Sequence, residues 1–191
     1  MKPFNFTIFI LVLVTSTYAD ICPSEPRCRC KWSNGKRTVE CRDAGLTSIP
    51  NNLKPDTQIL ILDGNNLERL DKDAFTRVNL VNLQTISLRG CHLLEVHEDA
   101  FRGLKILTDV DLSANNLTKL RPKTFDGNDG LKILKMAQNP IQELMAYQFP
   151  PLKNLERIDF SQCELQRLDK KAFQNLGHSV EQLSLNDNKL R

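Results

Sequence analysis

LTDVDLSANNL, residues 107–117, contains the two patterns that decide the fold. Val110 and Leu112 alternate with aspartates, which is the period of a short β-strand with one buried face. Asn115 and Leu117 follow where the chain must bend away from the strand and leave backbone groups without a ladder partner. An Asn side chain can both donate to and accept from such groups, so it suits a buried turn. One strand and one turn cannot form a core, so the pattern predicts stacked copies of the same unit.

The rest of the chain repeats this unit at a nearly fixed interval. Five phenylalanines recur at steps of 26, 24, 24 and 24 residues, and these are Phe75, Phe101, Phe125, Phe149 and Phe173. Ten residues before each lies an Asn or Cys, and one more Asn lies near the chain end: Asn65, Cys91, Asn115, Asn139, Cys163 and Asn188. The resulting pattern, L-x-x-L-x-L-x-x-N-x-L with a period in the twenties, is typical of leucine-rich repeats.

These repeats predict an α/β-type leucine-rich repeat solenoid, with a curved parallel β-sheet on the concave face and a mostly irregular convex side. Residues 57–191 are predicted to form five complete repeats and the start of a truncated sixth. Matching apolar positions are expected to stack into columns that form the core. Cys91 and Cys163 occupy the Asn position of two separate coils, so we expect them to be buried free thiols.

Two repeats depart from the common spacing. Residues 76–82 form a stretch two residues longer than its counterparts, and we expect a swollen loop there. Asn128 replaces an apolar residue of the other repeats, inside a segment rich in Gly and Asp. That segment is predicted to be a turn-rich loop rather than a packed one.

Residues 1–19 have the features of a secretory signal peptide. Lys2 gives a positive start, an apolar run follows, and Thr17 and Ala19 are small residues before the predicted cleavage. The apolar run is shorter than the roughly 20 residues that a membrane helix needs. We therefore expect the secretory pathway and an extracellular or cell-surface location, with no membrane insertion by this fragment. Removal of Lys2 reduces the formal net charge from +3 to +2, which gives no support for nucleic-acid binding.

Residues 20–56 are predicted to form a cysteine-rich cap over the first coil. Cys22, Cys28, Cys30 and Cys41 cluster directly after the predicted signal peptide. An even, clustered set in a secreted chain indicates disulfides, and four cysteines allow three pairings. A zinc site is the alternative, but its usual C-x2–4-C spacing is absent and export argues against it.

The cluster and the repeats together resemble extracellular leucine-rich repeat proteins with an N-terminal cysteine cap, over the whole of residues 22–191. The resemblance implies that Cys22 pairs with Cys30 and that Cys28 pairs with Cys41. No second cysteine cluster closes the other end of the solenoid, so we expect the chain to be the N-terminal piece of a longer protein.

Within this class, Cys30-Lys31-Trp32, Gly35-Lys36 and Cys41 are similar to the corresponding residues of Kekkon-type cell-surface proteins. The resemblance implies an immunoglobulin domain, a single membrane span and a cytoplasmic tail downstream of the repeats. It also implies a role in modulating growth-factor receptor signalling or neuronal adhesion. Trp32 has a second interpretation, in which it stacks on the disulfide hairpin as the core of a small cap.

Strand residues that alternate with the buried leucines should face the concave side and form the candidate binding face. The candidates are Ile59, Ile61, Arg89, Asp109, Asp111, Ile133, Lys135, Arg157 and Asp159. The isoleucines are the most informative, because an apolar side chain on an exposed strand face lacks a core to pack against. Ile59 and Ile61 have an alternative, in which both tuck beneath the cap. The alternative for the charged residues is that they pair with one another across neighbouring strands.

Asn116 begins the sequon Asn116-Leu117-Thr118 and lies between two inward positions, so we expect it to face solvent and carry a glycan.

The sequence lacks the residues that an enzyme active site would need. The histidines His92, His97 and His178 fall in loops, and the repeat register turns Cys91 inward and His92 outward. No metal or nucleotide motif is present, and no cofactor is expected.

The sequence therefore predicts a non-catalytic protein-recognition module. The preferred role is the N-terminal part of a cell-surface receptor or co-receptor ectodomain that binds a protein ligand or modulates signalling or adhesion, with a membrane span downstream in the full-length protein. The alternative is a secreted extracellular-matrix or antagonist protein built from the same repeats. A third hypothesis is a non-catalytic array of repeats with a structural role.

Overall fold

The computed structural model describes residues 21–22 and 25–191, so the predicted signal peptide lies outside the described residues. Short strands dominate the described chain: Ile21–Cys22 (β1), Glu25–Ser33 (β2), Lys36–Glu40 (β3), Ile59–Ile61 (β4), Arg69–Leu70 (β5), Thr85–Ser87 (β6), Glu95–Val96 (β7), Asp109–Asp111 (β8), Ile133–Lys135 (β9), Glu143–Leu144 (β10), Arg157–Asp159 (β11), Arg167–Leu168 (β12) and Gln182–Ser184 (β13). Two single-turn 3₁₀ helices, Thr76–Val78 and Gln174–Leu176, lie between them.

Nine of these strands form one sheet, in the order β1-β2-β3-β4-β6-β8-β9-β11-β13. The cap strands β1, β2 and β3 pair antiparallel, and from β3 onward every pair is parallel. The pairs β5–β7 and β10–β12 form two smaller parallel sheets. Each repeat thus supplies one main strand and returns by a largely irregular path. This arrangement of about six turns confirms the predicted leucine-rich repeat solenoid.

The core consists of columns of identical or similar side chains. Leu60, Ile86, Val110, Leu134 and Ile158 occupy matching positions of adjacent strands and are all fully buried. The phenylalanines form a second column, in which ring centroids lie 5.6 Å apart for Phe75–Phe101, 5.1 Å for Phe101–Phe125 and 5.8 Å for Phe149–Phe173. Columns of this kind bury on stacking what one coil alone would expose.

The asparagines hydrogen-bond the backbone of the bend after each strand. Asn115 Oδ1 accepts from the backbone N–H groups of Cys91 (2.9 Å) and Leu93 (3.0 Å). Its Nδ2 donates to the carbonyl oxygens of Leu88 and Leu112, both at 2.8 Å. One side chain therefore satisfies four buried backbone groups, one in its own coil (Leu112) and three in the preceding coil.

Cys91 and Cys163 are buried free thiols, as the repeat register predicts. Each Sγ donates to one buried carbonyl oxygen at 3.1 Å, from Leu62 and Met136 respectively. A thiol thus replaces part of the donor role of Asn, although its hydrogen bonds are weaker.

We predict that neither thiol reacts with an aromatic disulfide reagent in the folded protein at neutral pH. Burial raises the pKa of both thiols to about 11, so the reactive thiolate is scarce and inaccessible. Unfolding in denaturant should release two titratable thiols per chain, and a variant with Cys91→Ala and Cys163→Ala should release none. Rapid labelling of the folded protein would contradict this prediction.

The two unusual segments differ in outcome. Residues 76–82 begin with the 3₁₀ helix Thr76–Val78, which ends at Asn79 with φ of 63°, and Leu80 then packs in the core. The Gly- and Asp-rich segment around Asn128 is turn-rich, as expected, but the expectation that it is not packed was wrong at Asn128. Asn128 is buried, and its Nδ2 donates to the carbonyl oxygens of Phe101 (3.1 Å) and Leu104 (3.0 Å). Hydrogen bonds replace the apolar contact that the other repeats make there.

The cap is held by the disulfides Cys22–Cys30 and Cys28–Cys41, the pairing that the family resemblance implies. Trp32 does not form the core of the cap, contrary to one interpretation of the sequence. It is 63% exposed, and the Arg37 guanidinium lies 5.1 Å from the centroid of its ring. Val39 and Leu46 are buried instead. Within the described chain, no helix has the length and apolar character needed to cross a bilayer.

Candidate protein-binding face

The concave face carries two rows of side chains, because the main strands are paired in one register. The first row contains Ile59, Thr85, Asp109, Ile133, Arg157 and Gln182. The second row contains Ile61, Ser87, Asp111, Lys135, Asp159 and Ser184. Eight of the nine residues proposed from the sequence lie in these rows. The ninth, Arg89, lies just past the end of β6, on the rim.

The isoleucines are partly exposed. Ile59 and Ile61 pair with Thr38 and Glu40 of β3, which lies beside β4 and continues the sheet. The cap therefore flanks both isoleucines, and the surface of each side chain remains partly accessible on the concave side. Ile133 is also partly exposed, two strands farther along the first row than Thr85. Apolar groups thus occur at two places on a largely polar face.

The cap strand β3 also contributes to the concave face, which the repeat pattern does not indicate. Glu40 lies beside Ile61 and forms an ion pair of 2.8 Å with Lys31 of β2. The segment Lys36–Glu40 gave no clear signal, since it has neither a regular alternation nor the leucine pattern of the repeats.

The charged residues of the face divide into paired and unpaired groups. Lys135 Nζ lies 3.7 Å from Asp111 Oδ2, so these two do pair across neighbouring strands. Asp159 accepts from the Ser161 backbone N–H at 2.9 Å, and Asp109 accepts from the Thr108 hydroxyl at 2.6 Å. Arg157 is exposed, and its guanidinium has no hydrogen-bond or ion-pair partner among residues 25–191. Mutual pairing therefore accounts for part of this surface and leaves one free cation beside Ile133.

Arg89 organises the rim next to the face. Its Nη2 donates to Gln138 Oε1 at 3.0 Å, two coils away, and Gln138 donates in turn to Gln162 at 2.9 Å. Its backbone N–H donates to Asp63 Oδ1 at 3.1 Å, and the Asp63 carboxylate also forms an ion pair with Arg42. These contacts fix Arg89 in place at the edge of the concave surface.

Shallow depressions mark the face. One of about 290 Å³ is lined by Ile133, Lys135, Arg157, Asp159, Gln182 and Ser184, and one of about 180 Å³ lies beside it around Thr85 and Asp109. Both are at or below the lower end of the volume range of small-molecule sites. Depressions of this size suit single side chains of a protein partner.

Asn116 is exposed between the buried residues Asn115 and Leu117, and its backbone N–H donates to the Leu93 carbonyl at 2.9 Å. Its side chain is open to solvent at the end of the strand, and glycosylation stays a prediction.

Cys91 is buried while His92 is exposed, so the two side chains diverge. No group of three or more metal-binding side chains converges within the described residues.

Comparisons with known proteins agree with this architecture. The family model described as "Leucine rich repeat" matches residues 81–141 and 129–190. Trophoblast glycoprotein of Macaca fascicularis is 30% identical over 90% of this chain and 50% of its own length. Decorin of Gallus gallus is 28% identical over 93% of this chain and 53% of its own length. The chain therefore spans about half the length of these relatives.

A solved structure shows the same fold. The crystal structure of human trophoblast glycoprotein, also called Wnt-activated inhibitory factor 1, matches with a TM-score of 0.66 and 28% identity. The match covers 84% of this chain and 62% of the other. Leucine-rich repeats are generally non-catalytic modules for protein interaction, and these relatives include an extracellular glycoprotein and a matrix proteoglycan. With two matches to its family model and the solenoid geometry described above, the chain belongs to the leucine-rich repeat family.

Proposed function

We propose that the chain recognises a protein ligand through its concave face, as the N-terminal part of a cell-surface receptor or co-receptor ectodomain. Binding would modulate signalling or adhesion. The observation that carries the proposal is the arrangement around Ile133: a partly exposed apolar side chain lies next to the unpaired cation Arg157 on a pre-formed sheet. Arg is enriched at protein interfaces, and the fully buried centre of an interface is more apolar than the rest of the surface.

The receptor proposal includes the domain order of Kekkon-type proteins, with an immunoglobulin domain and a membrane span downstream of Arg191. The motif around Trp32 supports it, because it is similar to the corresponding residues of Kekkon-type proteins. A secreted matrix or antagonist protein is the second candidate, supported by the similarity to decorin and to a protein named as an inhibitory factor. Sequencing the transcript beyond the Arg191 codon separates the two: an encoded membrane span supports the receptor, and a cysteine cap followed by a stop supports the secreted protein.

We predict that Ile133→Glu weakens binding to the protein ligand by at least about tenfold, because it places a carboxylate in the apolar part of the interface. The measurement is a screen of the secreted chain against an array of cell-surface and secreted ectodomains of the same organism, followed by surface plasmon resonance. Ile106→Glu is the matched control, since Ile106 is 45% exposed but lies away from the main strands. Equal loss in both variants, or loss in neither, would argue against the concave face.

A further inference from the structure

The convex side of the fourth repeat differs from that of the other repeats. Residues 145–147 are Met-Ala-Tyr, whereas the equivalent segments 71–73, 97–99, 121–123 and 169–171 carry charged side chains. Met145 is 51% exposed and Tyr147 is 45% exposed. Neither side chain contributes to the core, so the stability of the solenoid does not explain this apolar pair.

Tyr147 is also held in an uncommon backbone conformation. Its φ is 56°, in the left-handed region that bulky residues rarely adopt. Its backbone N–H donates to the Lys171 carbonyl at 3.0 Å, and Lys171 Nζ lies 5.7 Å from the centroid of its ring. Such a conformation persists where the surroundings determine it, and it occurs often at binding sites.

Gln148 fixes residues 145–147 through two hydrogen bonds. It is buried, its Nε2 donates to the Leu120 carbonyl of the preceding coil at 2.7 Å, and its Oε1 accepts from the Met145 backbone N–H at 3.1 Å. Met145 and Tyr147 are therefore presented on a rigid support. A rigid support lowers the entropy that a binding surface loses when a partner docks.

Three lysines without an acidic partner among the described residues surround this apolar pair. Lys123 holds the equivalent position in the preceding coil, and Lys170 and Lys171 lie in the following coil. All three are exposed, and none forms an ion pair with a carboxylate of residues 25–191. The nearby Arg121 is already engaged, at 2.7 Å from Glu95, and it lowers the pKa of that carboxyl.

The positive charge is confined to this half of the convex side. Segments 121–123, 145–147 and 169–171 carry four basic side chains and one acidic side chain, Asp169. Segments 71–73 and 97–99 carry one basic and four acidic side chains. A positive field with an apolar centre thus lies over the convex segments from 121–123 to 169–171. It does not extend to the preceding segment, residues 97–99.

We propose that this convex patch, defined by Lys123, Met145, Tyr147, Lys170 and Lys171, binds an acidic protein segment whose apolar side chain seats between Met145 and Tyr147. The site is on the side opposite the concave face and goes beyond the function proposed above. A sulfated polysaccharide would use the cations and leave the exposed thioether and ring without a role.

The test selects a phage-displayed library of random short peptides on the secreted chain. Counter-selection uses the double variant Met145→Glu, Lys171→Glu. The matched control is Leu94→Glu, Lys105→Glu, which changes the charge by the same amount at an exposed apolar residue and an exposed lysine outside the patch. We expect enriched peptides to combine Asp or Glu with an aromatic or aliphatic residue. Their affinity should fall at least about tenfold in the patch variant and stay unchanged in the control.

Several results would overturn the proposal. Enriched peptides without an acidic excess, or with equal affinity for the patch variant, would remove the basis for an acidic partner. Retention on immobilised heparin that depends on Met145 and Lys171, in the absence of such peptides, would assign the patch to a polyanionic saccharide. Sedimentation that shows a dimer dissociated by the patch variant would assign it to a second copy.

Discussion

Replacement of Asn115 by alanine is expected to lower the free energy of unfolding by about 3–5 kcal/mol, at the upper end for a single substitution. The side chain satisfies the N–H groups of Cys91 and Leu93 and the carbonyl groups of Leu88 and Leu112. All four groups are at buried positions, and alanine can replace none of these bonds. Each buried group left without a partner costs about 1–3 kcal/mol, reduced where the backbone relaxes or water enters. Urea unfolding followed by far-ultraviolet circular dichroism measures the change.

The matched control is Asn115→Cys, because the chain itself uses Cys at this position in two repeats. Cys91 and Cys163 each donate to one carbonyl, and near Cys91 the backbone compensates further, since the Leu67 N–H donates to the Cys91 carbonyl at 3.1 Å. A thiol at residue 115 should retain one donor and lose the acceptor, and the expected loss is about 1–2 kcal/mol. Equal losses for alanine and cysteine would show that the hydrogen bonds of the Asn side chain do not determine the effect.

The sequence predicted the columns of this fold because they depend on backbone periodicity alone. A buried residue every second position in the strand and an Asn three residues later leave one way to stack the coils. Asn128 was misjudged because the pattern distinguishes apolar from polar residues, and a polar side chain that finds two carbonyl partners can be buried. Trp32 was misjudged for the opposite reason, since an apolar ring can remain exposed when a cation covers one of its faces.

The candidate binding surfaces were less predictable. The period of two placed the concave residues on one face, but which charges pair depends on side-chain geometry: Lys135 pairs with Asp111, and Arg157 remains free. To predict that Glu40 contributes to the concave face, one must know that β3 pairs with β4. The sequence does not indicate this pairing, because β3 carries no leucine pattern. The convex patch could be recognised only from the exposure of Met145 and the left-handed backbone of Tyr147. Neither feature can be obtained from the spacing of residues in the sequence.

The phenylalanine column leads to the second large prediction. Phe101 is fully buried, and its ring stacks on Phe75 at 5.6 Å and on Phe125 at 5.1 Å. Phe101→Ala should therefore lower the free energy of unfolding by about 3–5 kcal/mol, through lost burial, a cavity and two broken ring contacts.

Phe173→Ala is the matched control for Phe101→Ala, since Phe173 is partly exposed and its ring stacks only on Phe149, at 5.8 Å, within the described residues. Less surface returns to water and the cavity opens to solvent, so we expect a loss of about 1–3 kcal/mol. Both values come from chemical unfolding under identical conditions. If Phe173→Ala were as costly as Phe101→Ala, the contribution of each ring would not depend on how many neighbouring rings stack on it. A smaller loss at Phe173 would instead mean that each coil is stabilised by its two neighbours, as nearest-neighbour coupling in repeat proteins requires.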